Sequence, residues 1–261
     1  MNPKDPTIQK GHLHPMTQMI REIQAIFQEV GFEVAQGPEL ETEFYNFDAL
    51  NIPADHPARA MQDTFWIRKE IQNSKNETNQ KSETNPKSEI LNSKPAEKLV
   101  LRTHTSPVQI RYMQMHKPPF KIIVPGKVYR NEATDATHEA QFYQVEGLYV
   151  AEKVSMAELK GTMEYFFKKL FGADVQLRFR PSFFPFVEPG AEADIFFKGK
   201  WLEVMGAGPV HENVLRTAGI DPEKYSGFAF GGGIDRLLMI KYGLDDIRQV
   251  YSGDLRFVNQ F

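Results

Sequence analysis

The chain has 261 residues, 41% hydrophobic and 25% charged, enough to bury one large core or two small ones. Its 31 basic and 34 acidic residues leave a formal charge of −3, so the total announces no nucleic-acid binder, although a local basic surface or a partner could still supply one. The absence of cysteine excludes a disulfide framework, thiol catalysis and cysteine-ligated zinc or iron–sulfur sites, and the seven histidines do not fall into spacings such as H-x-x-x-H.

Residues 1–13 are polar, with Pro3, Pro6 and Gly11, and read as a loose lead-in. They carry no basic-then-apolar leader, and nowhere does an apolar run approach the roughly 20 residues of a membrane helix, so the sequence reads as soluble and intracellular. From His14-Pro15 onward, Met16, Met19, Ile20, Ile23, Phe27 and Val30 recur at helical spacing, with Gly31 as the stop. Phe32 to Ala35 predicts a short strand running into Gly37-Pro38, Phe44 to Pro57 has no clear period, and Phe65-Trp66-Ile67 predicts another short strand. Residues 69–98 are rich in Lys, Asn, Glu, Ser and Thr and contain an imperfect tandem hexapeptide beginning at Thr78 and again at Thr84. So few apolar groups cannot offset the entropy of ordering them, which predicts a disordered or mobile insertion.

Leu99-Val100-Leu101 predicts a strand, and Arg102 to Pro107 leads into a helix carrying Val108, Ile110, Met113 and Met115. His104, Ser106 and Gln109 therefore stand at a strand-to-helix junction suited to a polar or anionic ligand. The competing reading gives Thr105 or Ser106 only a capping role. Gly126 to Glu132, the nine-residue loop Ala133 to Gln141, and Phe142 to Leu148 read as a hairpin. Alternation places Arg130 and Glu132 on one face of the first strand and Gln144 and Glu146 on one face of the second. Four polar groups on one sheet surface need partners, supplied either by a ligand or by cross-strand ion pairs.

Ser155-Met156-Ala157-Glu158 matches a capping box opening a helix whose Leu159, Met163, Phe166, Phe167 and Leu170 face inward. Val175, Leu177 and Phe179 alternate as a strand. Phe183 to Pro189 holds aromatics between prolines, predicting a stiff, extended edge that either plugs the core or lines an aromatic pocket. Ile195 to Phe197 and Trp201 to Met205 predict a hairpin around Lys198-Gly199-Lys200, followed by a helix over 210–217. Finally Gly227 to Phe230 runs through Gly231-Gly232-Gly233 into a helix with Arg236 in its first turns. Neither a dinucleotide fingerprint nor a phosphate-loop Gly-Lys-Ser/Thr is present, so the chemistry is a helix start with an arginine beside it.

Arg130-Asn131-Glu132, its loop and Gln144-Val145-Glu146-Gly147-Leu148 resemble motif 2 of the class II aminoacyl-tRNA synthetases. Gly231-Gly232-Gly233-Ile234-Asp235-Arg236 resembles their motif 3. The helix from Pro15 with Gly37-Pro38 resembles motif 1, whose proline lies at a subunit interface in that family. Adding His104 to Gln109, Phe184-Pro185-Phe186 and Leu255-Arg256-Phe257 narrows the resemblance to the alpha-subunit family of bacterial phenylalanyl-tRNA synthetases, from His14 to Phe261 apart from the insertion.

The resemblance implies an α+β fold, class II aminoacyl-tRNA synthetase-like, with a mainly antiparallel sheet flanked by helices in a catalytic domain spanning 14–261. It implies activation of phenylalanine by ATP with Mg2+ and transfer to tRNA(Phe), in the cytoplasm and without a membrane. The partner it implies is a beta subunit, in an (alpha-beta)2 heterotetramer, and that subunit would carry editing. Arg130 would hold the ATP α-phosphate, Glu132 and His138 would sit on the nucleotide side, and Arg236 would take the γ-phosphate end, with Arg130, Glu132 and Arg236 as the catalytic set. Glu188 would help hold magnesium. Glu146 with Gln144 would bind the ammonium group, His104, Ser106 and Gln109 would complete that wall, Phe184 and Phe186 would clasp the ring, and Ala229 followed by Gly231 would close its far end. The family's N-terminal helical tRNA-binding arm is expected to be missing, since only residues 1–13 precede the first helix. Two rivals are a paralogue activating another acid and a non-catalytic binding or regulatory subunit; Phe184, Phe186 and Glu146 argue against the first, and Arg130, Glu132 and Arg236 against the second.

Overall fold

A computed structural model describes residues 11–59, 63–67 and 98–261; most of the expected insertion, and the start of the expected lead-in, lie outside the described residues. Helix α1 (Pro15–Glu29) begins with a proline, whose missing N–H is no loss in a first turn, and His14 Nδ1 accepts from the Met16 amide at 3.2 Å. Gly31, at φ 83°, ends it as the sequence predicts. Strand β1 (Glu33–Val34) follows, then β2 (Leu40–Thr42), α2 (Glu43–Asn46), β3 (Trp66–Ile67) and β4 (Leu99–Leu101). A small antiparallel sheet, β2-β4-β3, results.

After α3 (Ser106–Met115) come the hairpin strands β5 (Phe120–Tyr129) and β6 (Gln141–Ala151), then α4 (Met156–Phe171). Helix α4 opens with the predicted capping box: the Ser155 amide donates to Glu158 Oε2 at 2.8 Å and the Glu158 amide to Ser155 Oγ at 3.3 Å. The remainder is β7 (Gln176–Pro181), β8 (Ala191–Phe197), β9 (Lys200–Pro209), α5 (Glu212–Thr217), β10 (Ser226–Gly233), α6 (Ile234–Tyr242), α7 (Arg248–Tyr251) and α8 (Leu255–Val258).

The main sheet runs β1-β5-β6-β10-β9-β8-β7, antiparallel except for the β1–β5 pair. Alternation along its strands divides the core. Ile123, Val145, Phe228 and Phe230 pack with residues of α1, α4 and α6, where Phe27 stacks on Phe166 at 4.6 Å and on Phe230 at 5.2 Å between centroids. Ile122, Val124, Leu148 and Ala229 point the other way, toward residues of α3 and α5. Each buried valine, leucine, isoleucine or phenylalanine side chain among them contributes roughly 1.5–3 kcal/mol.

Four expectations change in detail. Strand β5 stops at Tyr129, so Arg130 and Glu132 belong to the loop rather than to a strand face. The 183–189 stretch is not an extended edge: Val187 N donates to Phe184 O at 3.3 Å, closing a turn with Pro185 at its first corner, a position whose φ proline presets. Helix α5 begins at Glu212, two residues later than predicted, with His211 as its cap. Lys98 lies on the sheet margin and not in the insertion, its carbonyl accepting the Glu43 amide at 2.9 Å.

Candidate active site

The side of the sheet facing α3 opens into a cavity of about 510 Å³. Two kinds of wall enclose it. Ala229, Val210, Val214, Phe184 and Phe186 form an apolar end, with the two phenylalanine rings stacked at 5.9 Å. His104, Ser106, Gln109, Gln144 and Glu146 form a polar end. The turn between β4 and α3 delivers His104, the first turn of α3 delivers Ser106 and Gln109, and alternation along β6 delivers the other two.

Glu146 is 5% exposed, and its Oε2 accepts from Ser106 Oγ at 2.5 Å and Gln109 Nε2 at 2.8 Å. Burial pushes its carboxyl up to about 7, against the opposing pull of Ser106, the Thr105 amide and the charges of Arg102 and Arg130. Burial, helped by Arg130, pushes the His104 imidazole down to about 3, so the ring is neutral. Both His104 nitrogens, Thr105 Oγ1 and Gln144 Oε1 are buried with no hydrogen-bond partner. Three of these atoms, on His104 and Gln144, belong to residues that line the cavity, and their desolvation stays uncompensated until a ligand supplies partners. Neither Thr105 nor Ser106 caps α3 through its side chain, which removes the purely structural reading of that junction.

The glycines of the central ladder let this wall close. Gly231 sits opposite Glu146 in the β10–β6 register, and a Cβ there would lie 2.5 Å from Glu146 Cγ. A Cβ at Gly206 would lie 2.9 Å from the Phe184 ring.

Arg130 and Glu132 line this cavity and also a neighbouring cleft of about 850 Å³, bordered by His138, Phe142, Glu203, Asp235 and Arg236. Arg130 donates from Nε to the Thr103 carbonyl at 3.3 Å, and its guanidinium lies 5.1 Å above the Phe142 ring. Arg236, exposed on the first turn of α6, donates from Nε to the Glu203 carbonyl at 2.6 Å. His138 stands on the loop beside Asp135, 3.0 Å away.

The structure thus brings together thirteen of the fourteen site residues expected from the sequence, around two adjoining spaces. Glu188 borders neither space. Its side chain is 77% exposed, pairs with His211 Nε2 at 3.3 Å and borders an adjoining groove that shares Phe184, Pro185 and Val187 with the cavity. Among the described residues no three histidine or carboxylate side chains gather as a metal cage. Mg2+ keeps several waters and takes one or two carboxylates beside phosphate oxygens; Glu203 and Glu132, on the cleft that holds Arg236, fit that donor set.

Sequence reasoning missed Arg102, buried at 4% exposure, which donates to the carbonyls of Lys127 (2.7 Å), Gly37 (3.1 Å) and Pro38 (3.2 Å) and so holds the α3 junction against β5. Its signal, an arginine directly after an apolar strand, is too common to stand out. Asn46 was equally unannounced: its Nδ2 donates to Thr103 Oγ1 at 3.1 Å and its Oδ1 accepts the Thr103 amide at 3.2 Å.

Residues 1–261 match the family described as "tRNA synthetases class II core domain (F)". This chain belongs to that family. Within it, the chain is 51% identical to the phenylalanine–tRNA ligase alpha subunit of Dechloromonas aromatica, over 97% of this chain and 70% of that protein. It is 53% identical to the subunit of the same name from Shewanella oneidensis, over 98% of this chain and 69% of that protein. The fold also resembles the crystal structure of pyrrolysyl-tRNA synthetase from Desulfitobacterium hafniense, with a TM-score of 0.64, 16% identity and coverage of 90% of this chain and 72% of that one. As a class II synthetase core the chain is the catalytic part of a ligase, and the family uses ATP, typically with Mg2+. The α+β fold and the phenylalanine–tRNA ligase alpha-subunit group expected from the motifs are both borne out.

Proposed function

We propose that this chain activates L-phenylalanine with ATP and passes the phenylalanyl group to tRNA(Phe), with Glu146, Gln144 and His104 reading the backbone of the amino acid and Phe184, Phe186 and Ala229 reading its ring. The observation that carries this is the two-ended cavity. Its polar end holds a buried carboxylate and orphaned acceptors suited to an ammonium group, and its other end is apolar and shaped by aromatic rings. A bound ammonium draws Glu146 to its charged form and gives Gln144 Oε1 a donor.

That Arg130 borders both spaces supports a role for it between an amino-acid carboxylate in one and an ATP α-phosphate in the other. The carboxylate oxygen attacks the α-phosphorus, the bond to the β,γ-pyrophosphate breaks, and phenylalanyl adenylate forms with release of pyrophosphate. Arg130 stabilises the charge gathering on the α-phosphate, and Arg236 holds the departing end. Phe142, already under the Arg130 guanidinium, offers a face for the adenine, with Glu132 and His138 on the same side. Mg2+, held by the phosphates with Glu203 and Glu132, would supply further neutralisation of the triphosphate. No side chain becomes covalently attached; positioning and electrostatics suffice. A ribose hydroxyl of the tRNA 3′ end then takes the acyl group and AMP leaves.

The partners of this reading are tRNA(Phe) and a beta subunit, in an (alpha-beta)2 heterotetramer, working in the cytoplasm. No described helix is long and apolar enough to cross a membrane. The test is ATP–pyrophosphate exchange by the full-length chain assembled with its beta partner. Phenylalanine should drive exchange at least a hundredfold above other amino acids; exchange driven by a different acid, or none beside an active control complex, overturns the proposal.

A further inference from the structure

The segment that follows α6 touches the nucleotide cleft in a way that no motif explains. Leu244, Asp245 and Ile247 border the cleft, and the Ile247 amide donates to the Ala136 carbonyl, in the middle of the loop between β5 and β6, at 2.9 Å. Four residues on, the Tyr251 hydroxyl donates to Asp235 Oδ1. Asp235 is 6% exposed and immediately precedes Arg236.

The other oxygen of Asp235 is engaged as well. The ladder between β10 and β6 ends at Gly233 opposite Gln144. The next amide on β6, that of Tyr143, is left by β10 as the chain turns into α6, and Asp235 Oδ2 accepts it at 2.7 Å. Asp235 therefore stands in for the missing strand at the point where α6 begins. One buried carboxylate joins three parts: the returning strand of the nucleotide hairpin, the first turn of α6 with Arg236, and α7.

The far side of α7 is fixed too. Ile247 and Val250 are 2% and 1% exposed in the core beside α1, and the Val250 carbonyl meets His14 Nε2 at 2.9 Å. The segment is thus anchored in the core at one face and bonded to the nucleotide loop and to Asp235 at the other.

We propose that Tyr251 is a positioning residue for ATP: through Asp235 it holds Arg236 and the β6 end of the hairpin in register, while the neighbouring Ile247 amide holds the loop 133–141. Tyr251 does not border the cleft itself and acts only through Asp235. Burial pushes the Asp235 carboxyl up to about 6, opposed by its bonds to Tyr251 and the Tyr143 amide. Without the tyrosine hydroxyl, Oδ1 is a buried acceptor with no partner, and the carboxylate must shift or take up a proton.

The inference rests on the ATP-dependent reaction proposed above, and two measurements separate its failure from that of the reaction. The first compares the full-length chain, assembled with its beta partner, with its Tyr251→Phe variant in phenylalanine-driven pyrophosphate exchange. Loss of one hydrogen bond to a charged group predicts a rise of about tenfold in the KM for ATP, with the KM for phenylalanine within about twofold. The second is amide hydrogen exchange without substrates, expected to quicken across 133–143 in the variant while α4 is unaffected. A merely structural tyrosine would lower the melting temperature and raise both KM values together. Parallel changes in the two KM values, an unchanged KM for ATP, or unchanged exchange at 133–143 each overturn the proposal; the exchange of amides is read whether or not the wild-type complex activates phenylalanine.

Discussion

Glu146 shows why a binding site costs stability. Its carboxyl is held at about 7 against an ordinary 4.5 because burial outweighs the bonds from Ser106 and the Thr105 amide. The folded chain therefore binds this proton more tightly than the unfolded chain, and stability falls as pH rises from about 4.5 to about 7. At roughly 1.4 kcal/mol per tenfold change in proton affinity, the full penalty above that window is about 3 kcal/mol. Glu146→Gln keeps an acceptor for Ser106 and Gln109 and removes the charge. The variant should melt higher than wild type at pH 8, by on the order of 5 °C, with the gap closing toward pH 4.5, and phenylalanine-driven exchange should fall at least a hundredfold. In the wild type the KM for phenylalanine should rise as pH drops below 7, because ammonium binding needs the ionised carboxylate. Melting curves of both proteins at several pH values test this, and a gap that does not depend on pH would refute it.

At the scale of elements, the centre of the molecule is the antiparallel β6–β10 pair, where glycines admit side chains from both sheet faces. Gly147 lies opposite Phe230, and a Cβ on Gly147 would fall 2.1 Å from that ring; Gly231 lies opposite Glu146, with a clash of 2.5 Å. The first contact is in the core beside α1, the second in the cavity. Overpacking a rigid core costs roughly 1–3 kcal/mol. Gly147→Ala should therefore lower the melting temperature by about 2–10 °C, with the KM for phenylalanine nearly unchanged if the fold survives. Gly231→Ala should instead raise that KM at least about tenfold by displacing Glu146, with the smaller thermal effect. Denaturation curves and exchange kinetics on both variants decide the point, and the reverse ranking would show that the two glycines do not serve separate faces. Elements of this kind were legible because local rules settle them: the capping box at Ser155, the periodicity of α1 and the alternation along β6 each survive folding unchanged. The turn at Phe184 was not, because two prolines read equally well as an extended edge, and only the Val187 and Asn51 contacts select the turn.

At the scale of the whole chain, the sheet order was the least accessible quantity, since β6 meets β10 across two intervening helices, three strands and their turns, which periodicity cannot rank. Motif resemblance supplied what periodicity lacked and placed the two spaces side by side. Glu188 follows Phe186 closely in sequence, yet the turn carries its side chain out of the cavity to the groove adjoining it. Residues 69–97 lie outside the described residues; at their C-terminal boundary Lys98 is tied into the fold by its carbonyl, which accepts the Glu43 amide, and by its ammonium, 3.3 Å from Glu43 and over the Trp66 ring. That boundary permits a last prediction. Ile67 pairs with Leu99 across the β3–β4 ladder, so the chain leaves the small sheet and returns to it at directly opposed positions. A two-residue Asn-Gly turn between residues 68 and 98 would satisfy that geometry as an ordinary hairpin. Closing so short a loop costs about 2 kcal/mol less than closing one of roughly thirty residues. Replacing 69–97 in this way should leave the melting temperature level or slightly raised, and phenylalanine-driven exchange within about twofold of wild type, because a segment so rich in Lys, Asn, Glu, Ser and Thr has few apolar groups to contribute to a core or a pocket. Loss of exchange with the fold intact would give the segment a part in the reaction, and a fall in melting temperature beyond about 5 °C would show that it carries tertiary contacts of its own.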